Sequence, residues 1–266
     1  MIEIAGLNIY PLKGARGIAL DRLTLDPIGP VDDRRWMMVD PGGNLVTQRE
    51  IAALCRIGAR PVAGGLVLDG PGSAPLEVPV PAEDQDHLTV RVWDDTVLAN
   101  DAGDRAAEWC SSQLEAPLRL VHLSARANRR TDSDYDPIGG LVSFADGYPI
   151  LVASETSLAD LNRRLEVSLP MNRFRPNIVV RGSEPFAEDG WKRFWVGGLP
   201  FDVVKPCARC VVTTTDQQSG ERSVEPLRML ATFRRRGSGV MFGMNVVHRD
   251  IGEIGVGQEV KVGSRP

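Results

Sequence analysis

The stretch HLTVRVW, residues 87–93, indicates which class of fold this chain adopts. Apolar Leu88, Val90 and Val92 alternate with polar Thr89 and Arg91, which is the two-residue period of a strand with one buried face. An amphipathic helix would instead repeat its apolar positions every three or four residues. We therefore predict a β-strand here, within a sheet that is buried on one side.

Short strand-like stretches of the same kind occur on both sides of this one. They are IEIAGLNIY (2–10), RRWMMVD (34–40), GGLVLDG (64–70), PLEVPVP (75–81), ILVAS (150–154), PNIVVRG (176–182), RFWVGG (193–198), PFDVV (200–204), VMFGMNVV (240–247) and EVKVG (259–263). Helical periodicity is confined to three segments, 101–114, 154–167 and 224–236. Many short strands with close turns predict a mainly β fold with a few helices (α+β).

The polar, turn-rich segment 124–149 separates two groups of strands. Loops of this composition lie on protein surfaces, so the segment is a candidate for a domain junction or a mobile loop over a site. We therefore predict two units, residues 1–123 and residues 124–266, and the many short strands leave a barrel or a sandwich open.

The composition limits the classes of function. The net charge of −4 argues against non-specific binding to nucleic acid. No run of about 18 uncharged apolar residues is present, so we expect no membrane span, and the N-terminus lacks the features of a signal peptide. A cytoplasmic location is the simplest expectation. The four cysteines form no disulfide framework, and Cys55 and Cys110 are expected to be small core residues.

The other two cysteines share the motif KPCARCVVTTTD, residues 205–216. A structural zinc site would need about four ligands, and no second Cys pair or spaced His pair is present. A thioredoxin-like pair would open a helix, whereas the β-branched run Val211–Thr215 favours a strand. A buried structural pair of thiols also stays open. The remaining alternative is one reactive or metal-binding thiolate, which cationic Lys205 and Arg209 would favour.

Several segments together resemble the MOSC family, in the branch that carries an N-terminal β-barrel and includes the mitochondrial amidoxime-reducing components and their bacterial relatives. These segments are YPLKGARG (10–17), DDRRWMMVD (32–40), NLVTQRE (44–50), SFADGYPILVASETSLADLN (143–162), NRFRPNIVV (172–180), PFAEDGWK (185–192), KPCARCVVTTTDQQSG (205–220) and FGMNVV (242–247). They occur in family order and span nearly the whole chain. The resemblance implies an N-terminal β-barrel-like domain over residues 1–123 and a β-barrel MOSC domain over residues 124–266.

The resemblance implies a molybdenum cofactor (a molybdopterin) whose metal is bound by Cys210, with Cys207 as a neighbour. The implied cofactor-binding residues are Lys13, Gly14, Arg34, Gly147, Tyr148, Arg175, Ala208, Arg209 and Asn245. Guanidinium and ammonium groups with backbone N–H donors suit a pterin phosphate. Gly14 stands where some relatives carry a serine, and Gly147 and Tyr148 stand where the mitochondrial proteins place hydroxyl residues. We expect no iron–sulfur cluster, and the resemblance also implies pyridoxal phosphate binding.

The activity that the resemblance implies is an oxidoreductase that reduces N-hydroxylated compounds such as amidoximes, hydroxylamines and N-hydroxylated bases. Since no flavin or nicotinamide motif is visible, we expect electrons from a separate reductase partner, a flavoprotein or a cytochrome pair. Asp216 is a speculative proton relay, although a turn-forming role in TDQQSG is the simpler interpretation. Two alternatives stay open: a sulfur carrier that transfers a cysteine persulfide, and a non-catalytic protein that binds the cofactor.

Overall fold

A computed structural model describes residues 1–83 and 87–263, so the last three residues of the predicted second domain lie outside the described part. Strands dominate, and the predicted mainly β fold with a few helices is confirmed. None of the described helices has the length and apolar content needed to cross a membrane.

The first half of the chain contains one α-helix and twelve of the described strands. The strands are β1 (Glu3–Ile9), β2 (Ile18–Leu20), β3 (Arg22–Asp26), β4 (Gly29–Pro30), β5 (Trp36–Val39), β6 (Leu45–Val46), β7 (Gly58–Val62), β8 (Gly65–Asp69), β9 (Leu76–Pro79), β10 (His87–Val92), β11 (Asp95–Asp101) and β12 (Arg119–Leu123), with helix α1 at Asp104–Leu114 and a 3-10 helix at Ala52–Arg56. The predicted strand is therefore confirmed for residues 87–92, whereas Trp93 lies in the turn after it; Val90 and Val92 are buried while Thr89 and Arg91 are exposed.

The second half contains eight described strands and two α-helices. The strands are β13 (Ile150–Ser154), β14 (Ile178–Arg181), β15 (Arg193–Val196), β16 (Leu199–Ala208), β17 (Arg235–Arg236), β18 (Gly239–His248), β19 (Gly252–Gly255) and β20 (Val260–Val262). The helices are α2 (Glu155–Asn162) and α3 (Leu227–Phe233), with 3-10 helices at Met171–Arg173, Ala187–Gly190 and Val211–Thr214.

The largest sheet draws strands from both ends of the chain. Its order is β2-β1-β14-β13-β18-β16-β15-β20, with β17 paired to β18, and among the described strand pairs of this sheet β13 and β14 run parallel while the others run antiparallel. The pairing of β1 with β14, together with that of β3 with β19, brings N-terminal strands onto the C-terminal half. A buried cluster around Phe194, Phe201 and Val246 supports this sheet. The domain boundary at residues 123 and 124 stays a prediction.

The segment 124–149 contains no described helix or strand, yet it is firmly connected to its surroundings. Phe144 is fully buried in the core of the β10-β11-β12-β5-β6 sheet. The Arg129 guanidinium donates to the carbonyls of Ser143 and Asp146 at 2.9 Å each, and it forms an ion pair with Asp95 at 2.7 Å. These contacts fix the position of the backbone that reaches residues 145–148.

The predicted strand after the cysteine motif is wrong, because Val211–Thr214 form a short 3-10 helix. The Thr213 hydroxyl donates to the carbonyl of Cys210 at 2.9 Å, and the Thr214 hydroxyl donates to that of Val211 at 2.7 Å. Threonine side chains can compete in this way for local backbone acceptors, which outweighs their preference for extended structure. The turn that follows Cys210 is consequently tight.

Candidate functional site

One cavity gathers ten of the eleven residues that the sequence predicts for the site. They come from the turn after β1, the loop before β5, the end of segment 124–149, the loop before β14, the end of β16 with the turn after it, and β18. These residues are Lys13, Gly14, Arg34, Gly147, Tyr148, Arg175, Ala208, Arg209, Cys210 and Asn245. Segments far apart in the sequence therefore meet around one space.

Both cysteines of the CxxC motif line this cavity and are partly exposed, whereas Cys55 and Cys110 are fully buried. The Arg209 guanidinium donates to the Cys207 sulfur at 2.8 Å and to the carbonyl of Phe174 at 2.6 Å. The motif is therefore not a buried structural pair. The core positions predicted for Cys55 and Cys110 are confirmed.

The side chains around the cavity could bind a metal only if a cofactor supplied most of its ligands. Within the described ranges, no group of three or more His, Cys, Asp or Glu side chains comes together around a metal-sized space. A zinc site with about four protein ligands needs such a group. A metal held here by the partly exposed thiolate of Cys210 would obtain its remaining ligands from a bound cofactor.

Lys13 is buried at the cavity wall, where its ammonium donates to the carbonyl of Phe144 at 2.7 Å and pairs with Asp146 at 2.6 Å. The Lys13 side chain is 6% exposed, but that of Asp146 is 75% exposed into the concave opening. Burial lowers the pKa of Lys13, although the Asp146 carboxylate opposes this shift. Burial within the opening raises the pKa of Asp146, but the charge of Lys13 and its hydrogen bond outweigh this and lower it.

Arg34 and Arg175 both lie against the ring of Tyr10, with guanidinium carbons 4.5 and 4.2 Å from its centroid. Both arginines have positive φ angles, 50° and 54°, which non-glycine residues rarely adopt. Burial opposes the charge of Arg34, but its ion pair with Asp33 at 2.5 Å outweighs this and raises the pKa. Burial lowers the pKa of Arg175 to about 10, so the group is still a cation at neutral pH.

Three buried polar atoms of the cavity lining have no hydrogen-bond partner among the described residues: Arg175 Nη2, Arg209 Nε and the Tyr148 hydroxyl. Neither Arg175 nor Arg209 has a carboxylate within ion-pair distance in the described part of the chain. Buried donors without partners are uncommon, because each costs free energy. An anion with several acceptor oxygens, such as a phosphate, would satisfy the arginines, so these residues fit the phosphate of a molybdopterin.

Two glycines contribute to the cavity for different reasons. Gly14 has a φ of 84°, and a Cβ there would lie 2.6 Å from a methyl carbon of Leu54. A serine at this position would therefore need a local shift. A Cβ on Gly147 would meet no protein atom within 4 Å, which leaves open space beside the backbone there.

Asp216 is the predicted site residue that does not line the cavity. Its Oδ1 accepts backbone N–H groups of Gln218 and Ser219 at 2.9 and 3.0 Å, and its Oδ2 pairs with Arg173 at 2.8 Å. These contacts support the turn-forming interpretation. They lower the pKa of Asp216, mainly through the backbone hydrogen bonds.

The cavity is also lined by residues that were not predicted from the sequence, among them Gln48, Arg49, Trp93 and Asp146. Gln48 forms a reciprocal amide pair with Gln217, with N–O distances of 3.0 and 2.9 Å. Gln48, Arg49 and Asp146 lie in segments that carry the family resemblance, and that signal could have found them. Trp93 follows an alternating strand as a bulky residue in a turn, which is a weaker signal.

Comparisons with known proteins identify the family of this chain. A family model described as the MOSC N-terminal beta barrel domain matches residues 1–117, and one described as the MOSC domain matches residues 140–261. This chain belongs to the family of MOSC-domain proteins that have an N-terminal β-barrel domain.

Its relatives include the amidoxime-reducing components of mitochondria. Component 1 of Xenopus laevis is 34% identical over 251 residues, which cover 88% of this chain and 72% of that protein. Component 2 of Bos taurus is 31% identical, and component 1 of Homo sapiens is 32% identical; each comparison covers 97% of this chain and 82% of the relative.

Proposed function

We propose that this protein is a reductase that removes oxygen from N-hydroxylated compounds, including amidoximes, hydroxylamines and N-hydroxylated bases, with a molybdenum cofactor held through Cys210. The observation that carries the proposal is the meeting of ten predicted residues around one cavity with a partly exposed thiol. The names of the relatives, which are amidoxime-reducing components, support the reaction class. A cytoplasmic location and pyridoxal phosphate binding stay predictions.

The charged residues of the cavity would bind the cofactor phosphate. Arg175 and Arg209 have unused buried N–H groups and no neighbouring carboxylate among the described residues. Lys13 and Arg34 add charge, although each already pairs with an aspartate. A doubly charged phosphate would compete with Asp146 for Lys13, because two negative charges attract the ammonium more strongly than the single charge of the carboxylate.

When bound, the cofactor supplies the two-electron chemistry that takes the oxygen from the substrate. The residues of this chain bind and orient it. Cys210 contributes the thiolate, and buried Phe174 excludes water from the inner wall. Burial raises the pKa of the Tyr148 phenol, with Asp132 adding to the shift, so Tyr148 stays a neutral hydrogen-bond donor at neutral pH. Electrons would come from a separate flavoprotein or cytochrome pair.

The test compares Cys210→Ser with Cys207→Ser in protein purified from a molybdenum-replete host. We expect a stoichiometric amount of molybdenum in the wild type and in Cys207→Ser, and its loss in Cys210→Ser. The wild type should also reduce benzamidoxime with a chemically reduced dye as electron donor. Metal retention in Cys210→Ser would contradict the assignment of the ligand.

Two other results would favour the alternatives. A cyanide-labile sulfur on protein that contains no molybdenum would support a persulfide carrier. Full molybdenum content without turnover of any N-hydroxylated compound would support a binding protein. Both results are inconsistent with the proposed reductase.

A further inference from the structure

The hairpin formed by β17 and β18 lies beside the turn that leads to Cys210. The backbone N–H of Arg209 donates to the carbonyl of Val240 in this hairpin at 2.7 Å, and Ala208 pairs with Met241. Both Ala208 and Arg209 line the cavity. The hairpin therefore belongs to the surface next to the cavity, on the side of its cysteines.

This hairpin carries more positive than negative charge. Arg234 and Arg236 share one carboxylate, that of Asp189, with N–O distances of 2.7 and 2.6 Å. Arg235 is exposed, and its side chain has no ion pair or hydrogen bond with any described residue. Three guanidinium groups thus meet one carboxylate, which leaves an excess of two positive charges.

Packed aromatic rings connect the hairpin to the wall of the cavity. The guanidinium carbon of Arg234 lies 4.2 Å from the centroid of the Phe186 ring. Phe186 packs edge-on against Phe242 at 6.3 Å, and Phe242 stacks on Phe174 at 3.9 Å. Phe174 lines the cavity, and both Phe174 and Phe242 are fully buried. The path from the hairpin to the cavity is therefore dry and closely packed.

The excess charge of the hairpin is a local feature, because the whole chain has a net charge of −4. A charged patch attracts a partner of the opposite sign and orients it during the encounter. An acidic protein would be repelled by the chain as a whole but attracted at the hairpin. It would consequently approach with its surface next to the cavity.

We propose that the β17–β18 hairpin, residues 235–240, is the docking surface for an acidic electron-transfer flavoprotein that supplies electrons to this protein. This inference rests on the proposed reductase function and names the face of the chain and the charge of its electron donor. Two excess charges are too few to hold nucleic acid, where contacts with several phosphates supply the affinity.

The test compares cofactor-loaded Arg235→Gln, Arg235→Glu and Ser238→Lys with the wild type. Ser238 is exposed in the turn of the hairpin, and its side chain makes no described hydrogen bond. Arg105→Glu is the matched control, because Arg105 is exposed on α1, has no ion pair with a described residue and does not line the cavity. It changes the net charge of the chain by the same amount as Arg235→Glu.

Reduced flavodoxin, a small acidic flavoprotein, serves as the electron donor, and a chemically reduced dye serves as a donor that needs no docking surface. Steady-state kinetics with benzamidoxime give KM for flavodoxin at an ionic strength of about 0.01 M, where charges act over about 30 Å. Biolayer interferometry measures Kd for oxidised flavodoxin, independently of turnover.

We expect Arg235→Glu to raise KM and Kd for flavodoxin roughly tenfold and Arg235→Gln roughly threefold, because each charge lost from the patch slows the encounter. Ser238→Lys should lower both values, which structural damage would not do. The differences should largely disappear in about 1 M salt, where charges are screened within about 3 Å. Turnover with the dye should stay at the wild-type level in all variants, and Arg105→Glu should change KM for flavodoxin far less than Arg235→Glu.

Three results would overturn the docking surface. Equal effects of Arg235→Glu and Arg105→Glu would show that only the net charge of the chain matters. Flavodoxin binding that is absent, or that no hairpin variant changes, would place the donor elsewhere. Tight binding of a DNA duplex with the same dependence on Arg235 would show a general polyanion surface. If the wild type reduces no N-hydroxylated compound with the dye but flavodoxin binding follows the charge of the hairpin, the reductase function fails while the docking surface stands.

Discussion

Replacing Gln217 with leucine should destabilise the protein and loosen Arg175 at the same time. The Gln217 amide exchanges two hydrogen bonds with Gln48, at 3.0 and 2.9 Å, and donates to the carbonyl of Thr215 at 3.1 Å. Its oxygen also accepts from Arg175 Nη1 at 3.3 Å. Both glutamines are buried, and Gln48 reaches further to the carbonyl of Gly14 at 2.6 Å. This small network joins the two halves of the chain behind the cavity.

The magnitude follows from the number of groups left unpaired. Leucine removes all the Gln217 side-chain hydrogen bonds and leaves the side-chain oxygen of Gln48, Oε1, buried without a partner. A buried polar group without a partner costs about 1–3 kcal/mol, and each neutral hydrogen bond contributes about 1 kcal/mol net. We therefore expect Gln217→Leu to lower the free energy of unfolding by about 2–4 kcal/mol. Gln48→Leu should have a similar effect.

The Gln48→Leu/Gln217→Leu double variant tests whether the two amides stabilise the protein as a pair. With both amides replaced by leucine, no unpaired amide stays behind at either position, so the combined loss should be smaller than the sum by about 1–2 kcal/mol. Urea unfolding of the four proteins measures this coupling. Gln218→Leu is the matched control, because Gln218 is exposed and its side chain makes no described hydrogen bond. Strict additivity, or an equal loss in the control, would show that the two glutamines do not stabilise the protein as a pair.

Three further predictions concern charge and pH. Asp146→Asn should raise the affinity of cofactor-free protein for inorganic phosphate about tenfold, because Lys13 loses its competing carboxylate. The affinity is measured from the rise in melting temperature with increasing phosphate concentration, and an unchanged affinity would contradict the prediction. Burial lowers the pKa of His122 to about 4. The free energy of unfolding should therefore be greatest above pH 6.5 and decline by at most about 3 kcal/mol as pH falls towards 4, because the unfolded chain binds the proton more readily. His122→Gln should show a smaller decline. Burial raises the pKa of Tyr10 to about 12. The free energy of unfolding should therefore fall as pH rises from 10 towards 12, and urea titrations of Tyr10→Phe at alkaline pH should lack this part of the decline.

Much of the fold follows from local pattern. The alternation at Leu88, Val90 and Val92 requires one face of the strand to be buried, whatever the rest of the chain does. The same local reasoning failed at Val211–Thr214, because threonine hydroxyls that bond to backbone carbonyls are a local alternative to a strand. Propensity alone does not distinguish these two outcomes.

Sequence patterns alone predict the strand-rich class, and the resemblance to a family identifies ten of the residues that line the cavity. The three-dimensional structure was needed to show that Asp146 pairs with Lys13 and that Gln48 pairs with Gln217. It likewise decided that Asp216 supports a turn outside the cavity. The sequence around a residue indicates whether that residue is buried and which backbone conformation it prefers. The packing of the whole chain determines which residue more than a hundred positions away becomes its partner.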